Sequence, residues 1–560
     1  MPEGILEQQP ANSVPDSITE STKFTLAMSH ALCFVISIAL AGICCGFGWQ
    51  NDAVSFLGII GLGIFLTWQG SAKKLIPCLL HALLMGYIGF LIANFWMSST
   101  IEILTTGTQN NTFFISQLVH LLHAGIFVAF SLLWWLSRRF LRGGYFVAPA
   151  IWLILESIYP SMFPTRIATL IVDATPLVQV GSIFGVAGIS LQVFLIACLI
   201  PLTWRLLWNI RETGPNRNAL KISLAAIALL TIINFAWGWQ RSQNIRSADT
   251  AFTGQYLHVG LIQGETQYAT SHLEFQKRSR NLVANGAELV VWPECSLGKY
   301  QRDLVDFSDD TLVAQKSLGY VFRCPPLSEP DCHLLGGGYS WGDKDEQGKL
   351  TSRYVSALLI DTEEQLVGRH DKIELMAGGE YLPFESIVPQ IRDWLGKTVD
   401  PDDPEGVLLS RGDAVAPLGT VKGVSIGTIL CCEDMYPEIS RQLVDQGADL
   451  IVCLSNGMAF DSQVALRQHF NLGRFRVVEN NRYAVRCGSK GISGLMRPDG
   501  SLSQTLPTFS DQDAQLKVPV EHRTRSLYTQ FGDLLTPSCY LMMVGLIGFS
   551  IFRGRHASDR

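Results

Sequence analysis

Long apolar segments separated by short polar ones occupy the first 240 residues of the chain. A helix that crosses a bilayer needs about 20 apolar residues, and seven segments come close to or reach that length. They are roughly 24–45, 53–68, 75–97, 114–136, 145–159, 180–202 and 220–239. An eighth apolar segment lies at 537–552, after a long and more polar region. The pattern predicts a multi-pass α-helical membrane domain at 23–240 and a C-terminal transmembrane helix at 537–552.

Basic residues lie in alternate loops between these segments. Lys and Arg occur in the loops around 73–74, 138–142 and 205–221 and after 552, whereas the loops near 51 and from 98 to 112 carry none. Cytoplasmic loops are the ones enriched in Lys and Arg, so both termini are predicted to be cytoplasmic. The polar region between the seventh and eighth segments is then on the opposite, periplasmic or outer, face. Residues 1–22 are predicted to be a disordered cytoplasmic tail, because they are polar and lack a clear cleavage site.

The hydrophobic pattern changes to short strands and amphipathic helices from about residue 257. Strands are predicted at 257–262, 287–292, 424–430 and 449–454, and helices at 271–285, 437–446 and 464–478. A polar turn at 361–364 separates two further strand patterns, 354–360 and 365–370, which indicates a hairpin. Alternating strands and helices predict an α/β domain over 251–522, followed by a linker at 523–536.

Composition agrees with a membrane protein and narrows its chemistry. The chain has 560 residues, of which 48% are hydrophobic, which is too long and too apolar for one soluble domain. A formal net charge of -6 gives no reason to expect a nucleic-acid partner. Its 13 cysteines form no CxxC pair and no zinc-type spacing, so neither a metal site nor a cofactor is expected.

Three short sequence motifs in the α/β region supply side chains that could take part in catalysis. They are Trp292-Pro293-Glu294, the run from His370 through Lys372 to Glu380, and Cys431-Cys432-Glu433. Taken singly, each has a plain structural interpretation: a buried thiol, a loop carboxylate or a surface lysine. Together they supply a thiol nucleophile, a carboxylate that can accept its proton, and an ammonium. The ammonium would lower the pKa of the thiol and stabilise a tetrahedral oxyanion.

The order of these groups and their local strings resemble a known family. Glu, Lys and Cys in Trp-Pro-Glu, His-x-Lys and Cys-x-Glu contexts resemble the nitrilase superfamily, and the flanking apolar helices resemble the apolipoprotein N-acyltransferases. Other shared strings are 176–181, 185–190, 379–384 and 532–533. The resemblance implies a nitrilase-like α-β-β-α sandwich in which Glu294 is the general base, Lys372 the oxyanion stabiliser and Cys431 the nucleophile. It also implies two supporting carboxylates, Glu380 orienting Lys372 and Glu433 shaping the site; structural salt bridges are the alternative for both.

The same resemblance implies an activity and its partners. A fatty acyl chain would pass from a membrane phospholipid onto Cys431 as a thioester. It would then pass to the N-terminal amine of the diacylglyceryl-cysteine of an apolipoprotein. The expected location is the bacterial inner membrane, and the expected state is a monomer. Two alternatives stay open: a membrane-anchored amidase or nitrile hydrolase, in which water replaces the amine, and a non-enzymatic membrane scaffold.

The sequence departs from the family pattern at two positions. Cys432 stands where the family has an aromatic residue, and Gly457 stands where an acidic residue is usual. If the two adjacent thiols continue the preceding strand, they point to opposite faces, and the motif favours Cys431 for the site. Cys324 and Cys332 either form a disulfide or are two free thiols.

Overall fold

The computed structural model describes residues 16–104, 109–140, 144–161, 166–208, 215–264, 271–297, 332–341, 352–363, 365–381 and 409–558. Residues 1–15 of the predicted tail and Cys324 of the possible disulfide lie outside these ranges. The first helix begins at Asp16, within the predicted tail.

Each of the eight apolar segments corresponds to a helix, although several of the predicted boundaries differ from those observed. The helices before the α/β domain are α1 (Asp16–Gln50), α2 (Phe56–Ser71), α3 (Leu75–Ala93), α4 (Met97–Leu104), α5 (Gln109–Phe140), α6 (Gly144–Ile158), α7 (Thr175–Val178), α8 (Gly181–Trp208) and α9 (Pro215–Ala251). Within the described residues, five helices are long and apolar enough to cross a membrane: α1, α3, α5, α8 and α9. Two of the shorter apolar helices are α2 and α6, and the third, α14 (Leu535–Ser558), follows the α/β domain.

Small residues allow these helices to pack closely. A side chain at Gly46 of α1 would bring its Cβ within 2.6 Å of Ile92 of α3, so glycine is required there for the two helices to approach. Aromatic rings fill the centre of the bundle, where Phe65, Phe127 and Trp152 are 2% exposed or less. Lipid tails are as apolar as these side chains, so the hydrophobic effect does not drive the helices together. Close backbone approach and ring packing hold the bundle instead.

Twelve described strands form two six-stranded sheets. The strands are β1 (Tyr256–Gln263), β2 (Leu289–Val291), β3 (His333–Trp341), β4 (Arg353–Ile360), β5 (Leu366–Asp371), β6 (Gly419–Val421), β7 (Val424–Leu430), β8 (Leu450–Ser455), β9 (Tyr483–Gly488), β10 (Ser493–Met496), β11 (Leu502–Leu506) and β12 (Gln512–Pro519). The strand orders are β12-β1-β2-β3-β4-β5 and β11-β10-β9-β8-β7-β6. The central strands β1–β3 and β7–β9 are parallel, and the outer strands pair antiparallel.

The two sheets face each other and are covered by helices on both outer faces. Leu261 and Val291 of the first sheet share one buried cluster with Leu430 and Val452 of the second. Helix α10 (Ser271–Ala284) covers the outer face of the first sheet. Helices α11 (Pro437–Asp445) and α12 (Gln463–Asn480) cover the second sheet. The sequence prediction of an α-β-β-α sandwich beside a multi-pass helical membrane domain is confirmed.

The membrane helices and the sandwich meet at α12, which is buried on both sides. One continuous apolar cluster contains Phe470 and Val477 of α12 together with Val193 of α8 and Phe65 of α2. The carboxylate of Glu479 accepts a hydrogen bond of 2.7 Å from the backbone N–H of Val186, just after a non-helical residue in α8. The two parts of the chain therefore share a core instead of meeting through an exposed surface.

The segment that leads back to the membrane contains more structure than the sequence predicts. Residues 523–536 read as a linker, but the structure contains a short helix, α13 (Leu527–Phe531), within them. Tyr528 of this helix is 2% exposed, and its ring lies over Gly185 in α8. The segment connects the α/β domain to the last helix as predicted, and in addition it packs against α8 and buries an aromatic ring.

Candidate active site

Three strand ends bring the predicted triad to one place. Glu294 follows β2, Lys372 follows β5 in the same sheet, and Cys431 follows β7 in the facing sheet. Their exposed fractions are 2%, 1% and 4%. A carboxylate and an ammonium this deeply buried need partners, because unpaired buried charges cost several kcal/mol each.

The ammonium of Lys372 lies between two carboxylates. Its Nζ donates to Glu294 Oε1 at 3.0 Å and to Glu380 Oε1 at 2.6 Å. The second oxygen of Glu380 accepts the backbone N–H of Met376 at 2.7 Å, which fixes the carboxylate that holds the lysine. Burial lowers the pKa of Lys372, but the neighbouring Cys432 and Glu294 raise it by more. The pKa of Lys372 therefore lies well above its ordinary value. The lysine is therefore a fixed, permanently charged donor.

Glu294 connects the lysine to the thiol. Its Oε2 accepts the backbone N–H of Asn456 at 3.0 Å, so the carboxylate is oriented from both sheets. Burial raises the pKa of Glu294, while Lys372 and a hydrogen bond with Cys431 oppose the rise. A carboxylate with a raised pKa is a stronger base than a solvated one, which suits it to accept a thiol proton.

Cys431 occupies a strained backbone position. Its φ of 47° lies in the left-handed region, and it begins a 3-10 helix, Cys431–Met435, directly after β7. A non-glycine residue seldom adopts this conformation, and such strain is concentrated at functional sites. The turn aims Sγ toward the end of β8, where Ser455 Oγ lies 3.7 Å away and the Asn456 carbonyl oxygen 3.9 Å away.

The thiol is protonated at rest. Burial raises the pKa of Cys431 to about 12, with a further rise from Glu294 that Lys372 opposes. The lysine lowers this pKa as the sequence predicts, but burial of the sulfur outweighs the nearby ammonium, so the net shift is upward. The sulfur could react as a thiolate only if a base removed this proton, and Glu294 is a carboxylate whose charge acts on the thiol.

The Cys432 thiol does not face the same way as the Cys431 thiol, but the predicted reason, alternation along a strand, does not apply. Both cysteines lie in the 3-10 turn and not in the strand, so strand alternation does not separate them. The thiol of Cys432 donates to the Glu374 carbonyl oxygen at 3.1 Å and packs against Met435 and Leu472. This residue therefore fills the space beside the site where the family pattern has an aromatic ring.

Glu433 joins the turn after β5 to the turn after β7. Its fully buried carboxylate accepts the backbone N–H groups of Leu430 and Ile373, both at 2.7 Å. His370 Nε2 lies 2.9 Å from the same carboxylate. The side chain therefore fixes the backbone next to Lys372 and next to Cys431, whereas Glu380 contacts the lysine directly.

A buried polar network lies behind Cys431 and was not predicted from the sequence. Asp434 forms an ion pair with Arg486 and a hydrogen bond of 2.9 Å with His469 Nε2. The ring of His469 also lies 3.2 Å from the Cys431 carbonyl oxygen. Burial raises the pKa of Asp434, but His469 and Arg486 lower it by more, so the pKa is below its ordinary value. Asp434 is next to Glu433 in the quoted string, but the sequence gives no signal that links it to α12 and β9.

Apolar side chains from the membrane helices reach the edge of the site. Trp96, Met97 and Ile101 form a buried cluster with Phe460, and Met376 packs against it. Leu104 at the end of α4 lies against Gly379, next to Glu380. A groove of about 710 Å³ runs between α4 and the start of α12. Among the described residues, no group of three or more His, Cys, Asp or Glu side chains could hold a metal ion.

Comparisons with known proteins match both parts of the chain. Residues 224–521 match the carbon-nitrogen hydrolase family, and residues 41–199 match the apolipoprotein N-acyltransferase N-terminal domain. An apolipoprotein N-acyltransferase from Geobacter metallireducens is 28% identical over 375 residues, which cover 65% of each chain. Apolipoprotein N-acyltransferase 2 from Treponema denticola is 24% identical over 559 residues, covering 94% of this chain and 98% of that relative. A mutant of the Nesterenkonia AN1 amidase, from the nitrilase superfamily, is 15% identical with a TM-score of 0.37, covering 50% of this chain and 95% of that one.

Proposed function

Because this chain belongs to the carbon-nitrogen hydrolase family, we propose that Glu294, Lys372 and Cys431 are a catalytic triad that transfers an acyl group. The donor is a membrane phospholipid, and the acceptor is the N-terminal amine of the diacylglyceryl-cysteine of an apolipoprotein. The observation that carries the proposal is the buried assembly of the Cys431 thiol with Glu294 and Lys372, which are hydrogen-bonded to each other, beside apolar side chains of the helical domain.

The first half-reaction loads the thiol. Glu294 accepts the proton of Cys431 while the sulfur attacks the carbonyl carbon of the donor ester, and Lys372 stabilises the oxyanion. When the tetrahedral state collapses, the ester C–O bond breaks and Glu294 returns the proton to the departing lysophospholipid oxygen. The product on the enzyme is a thioester, and the site is ready for the second substrate.

The second half-reaction forms the amide. The neutral amine of the acceptor attacks the thioester carbon, Glu294 takes the proton that the nitrogen loses, and the C–S bond breaks. The proton then returns to Cys431, and Lys372 stabilises the oxyanion again. Two substrates that use one site in turn predict ping-pong kinetics.

The apolar wall supports a lipid donor. Trp96 and Ile101 extend the apolar surface of the helical domain as far as the turn that contains Glu380. An acyl chain can therefore stay in apolar surroundings as its carbonyl approaches the thiol. We place the protein in the bacterial inner membrane, with both termini cytoplasmic and the site on the periplasmic side, because the basic loops alternate. All three catalytic groups come from one chain, which supports a monomer.

A membrane-anchored amidase or nitrile hydrolase is the second candidate, favoured by the family itself and by the same triad. In that reaction, water attacks the thioester and no acylated acceptor forms. One helix would suffice for an anchor, whereas here several apolar helices pack against the sandwich, so the acyltransferase is the better candidate.

Thioester formation tests the proposal. The purified chain is incubated with a phospholipid carrying a labelled acyl chain, first without acceptor and then with a diacylglyceryl-cysteine peptide. We expect label on Cys431 that moves to the peptide amine. Cys431→Ala should carry no label, and Cys487→Ala, which removes a buried thiol from the sheet core, should retain it. Label on Cys431→Ala, or release of free fatty acid in place of the acylated peptide, would contradict the acyltransferase assignment.

A further inference from the structure

Ser455 and Arg486 lie directly behind the proposed nucleophile. We infer that they form a hydrogen-bond relay that stabilises the Cys431 thiolate, with Ser455 donating to sulfur and Arg486 positioning Ser455. The inference rests on the proposed function in that it takes Cys431 as the nucleophile. It gives the Ser-Asn string at 455–456 a chemical role beyond its place at the end of a strand.

Strand register brings the pair together. Ser455 ends β8, which runs parallel to β7 and β9, and Cys453 of β8 pairs with Arg486 of β9. Cys453 and Ser455 lie on the same face of β8, so Arg486 also lies on that face, level with the position two residues before Ser455. Its guanidinium extends along the sheet toward Ser455. Its Nη2 donates to Ser455 Oγ at 3.0 Å, and Ser455 Oγ lies 3.7 Å from Cys431 Sγ.

The direction of these bonds follows from which groups can donate. A guanidinium has N–H donors and no acceptor, so Ser455 Oγ must accept from Arg486. The single hydroxyl hydrogen of Ser455 is then directed away from the arginine, toward the sulfur. A donor aimed at sulfur stabilises the thiolate more than the thiol, because it bonds more strongly to the charged form.

Buried partners fix the arginine. Arg486 is 3% exposed, pairs with Asp434, and donates through Nη1 to Cys453 Sγ at 3.3 Å. His469 lies 3.5 Å from Nη2 and shares Asp434. An arginine held on several sides cannot turn away from Ser455, so the relay is preorganised before substrate binds.

The relay completes the set of charges around Cys431. Glu294 and Glu380 disfavour a thiolate and Lys372 favours it, all from the side of the first sheet. On the opposite side lie Arg486, the carboxylate of Asp434 that it neutralises, His469, and the Cys453 thiol. The adjacent Cys432 thiol is on the same turn as the nucleophile. Ser455 is thus the donor that couples the charge of Arg486 to the sulfur.

The relay acts twice in the proposed cycle without losing its own proton. It lowers the cost of forming the thiolate that attacks the donor ester. It lowers the same cost again when the C–S bond breaks and the thiolate departs from the amide product. Lys372 and the relay thus stabilise different atoms, the oxyanion and the sulfur.

Alkylation of Cys431 by iodoacetamide tests the relay without any acyl donor. Rates are measured on the full-length chain in detergent between pH 7 and 9, with tandem mass spectrometry to assign label to Cys431 and not to Cys432. Ser455→Val and Ser455→Thr are nearly equal in shape and differ in the hydroxyl. We expect valine to slow labelling about tenfold at each pH, the effect of about one pKa unit, and threonine to keep it within about threefold.

A second variant tests the arginine, and a control tests packing. Arg486→Lys keeps the charge beside Asp434 and should slow labelling in the parent chain but cause no further slowing in the Ser455→Val background. Ser493→Ala removes another buried hydroxyl of the same sheet and should label at the parent rate. An unchanged rate in Ser455→Val, a loss in threonine equal to that in valine, or equal slowing by the control overturns the relay. Labelling at Cys431 without thioester formation would instead count against the proposed acyl transfer.

Discussion

Replacing Glu433 by glutamine should uncouple the turns that carry the lysine and the thiol. The carboxylate accepts three hydrogen bonds of 2.9 Å or less, from Leu430, Ile373 and His370. A side-chain amide has one accepting oxygen, so its NH₂ group must face at least one of these donors. A bond to a charged group contributes about 1.5–3 kcal/mol, and an unsatisfied buried donor costs about 1–3 kcal/mol more.

These terms sum to about 2.5–6 kcal/mol for Glu433→Gln. Thermal unfolding of the purified chain in detergent should therefore show a markedly lower midpoint than the parent. Thioester formation at a temperature where the variant is folded should fall about 100-fold, since a shift of about 1 Å in a reacting group has that effect. The two measurements separate lost stability from lost geometry.

An exposed glutamate of the same domain provides the control. Glu438 pairs with Arg441 at 2.8 Å and its side chain is 53% exposed. An exposed ion pair contributes less than about 1 kcal/mol, so Glu438→Gln should leave both the midpoint and the thioester rate close to the parent values. If Glu433→Gln behaved like this control, the carboxylate would not connect the two turns and the reasoning would fail.

Three further predictions address other parts of the site and the junction. Lys372→Met should lower the thioester rate about 100- to 1000-fold by removing one oxyanion donor, and a loss under tenfold in single-turnover acylation would count against that role. The acylation rate should rise with pH as Glu294 loses its proton, at a pH above the usual carboxyl range because burial raises its pKa; Glu294→Gln should remove this rise. Gly185→Ala should destabilise the chain, seen as a lower unfolding midpoint in detergent, because its φ is +66° and the new Cβ would lie 2.4 Å from Tyr528; an unchanged midpoint would show that the junction can relax.

Regular hydrophobic periodicity predicted the elements that follow simple rules. The strand at 424–430 is β7 as predicted, and the helix at 437–446 is α11 with one residue fewer. The sequence analysis predicted no strand at β3, where three consecutive glycines, Gly336 to Gly338, interrupt the apolar pattern. A Cβ at Gly337 would lie 2.6 Å from the Cα of Glu294, so glycine allows the backbone of Glu294 to pass close by.

The sequence predicted those residues of the candidate site that lie in short, recognisable motifs. Glu294, Lys372, Glu380 and Cys431 come together as expected, and their catalytic roles stay predictions. The positive φ of Cys431 and its bonding to β8 depend on how the strands are placed, which no local pattern encodes. Arg486 lies 55 residues beyond Cys431 in the chain and has no motif of its own, so only strand register reveals it.

The shared core at α12 means that the sandwich is not a separable module. Cutting the chain before β1 would uncover Phe470 and Val477 and remove the part of their apolar cluster that the membrane helices supply, including residues of α8. We therefore expect the excised α/β part to aggregate and the intact chain to lose its bundle and its sandwich in one cooperative step. Because α12 also bears His469, we expect strain imposed by the thickness of the surrounding lipid to be transmitted to the backbone of Cys431.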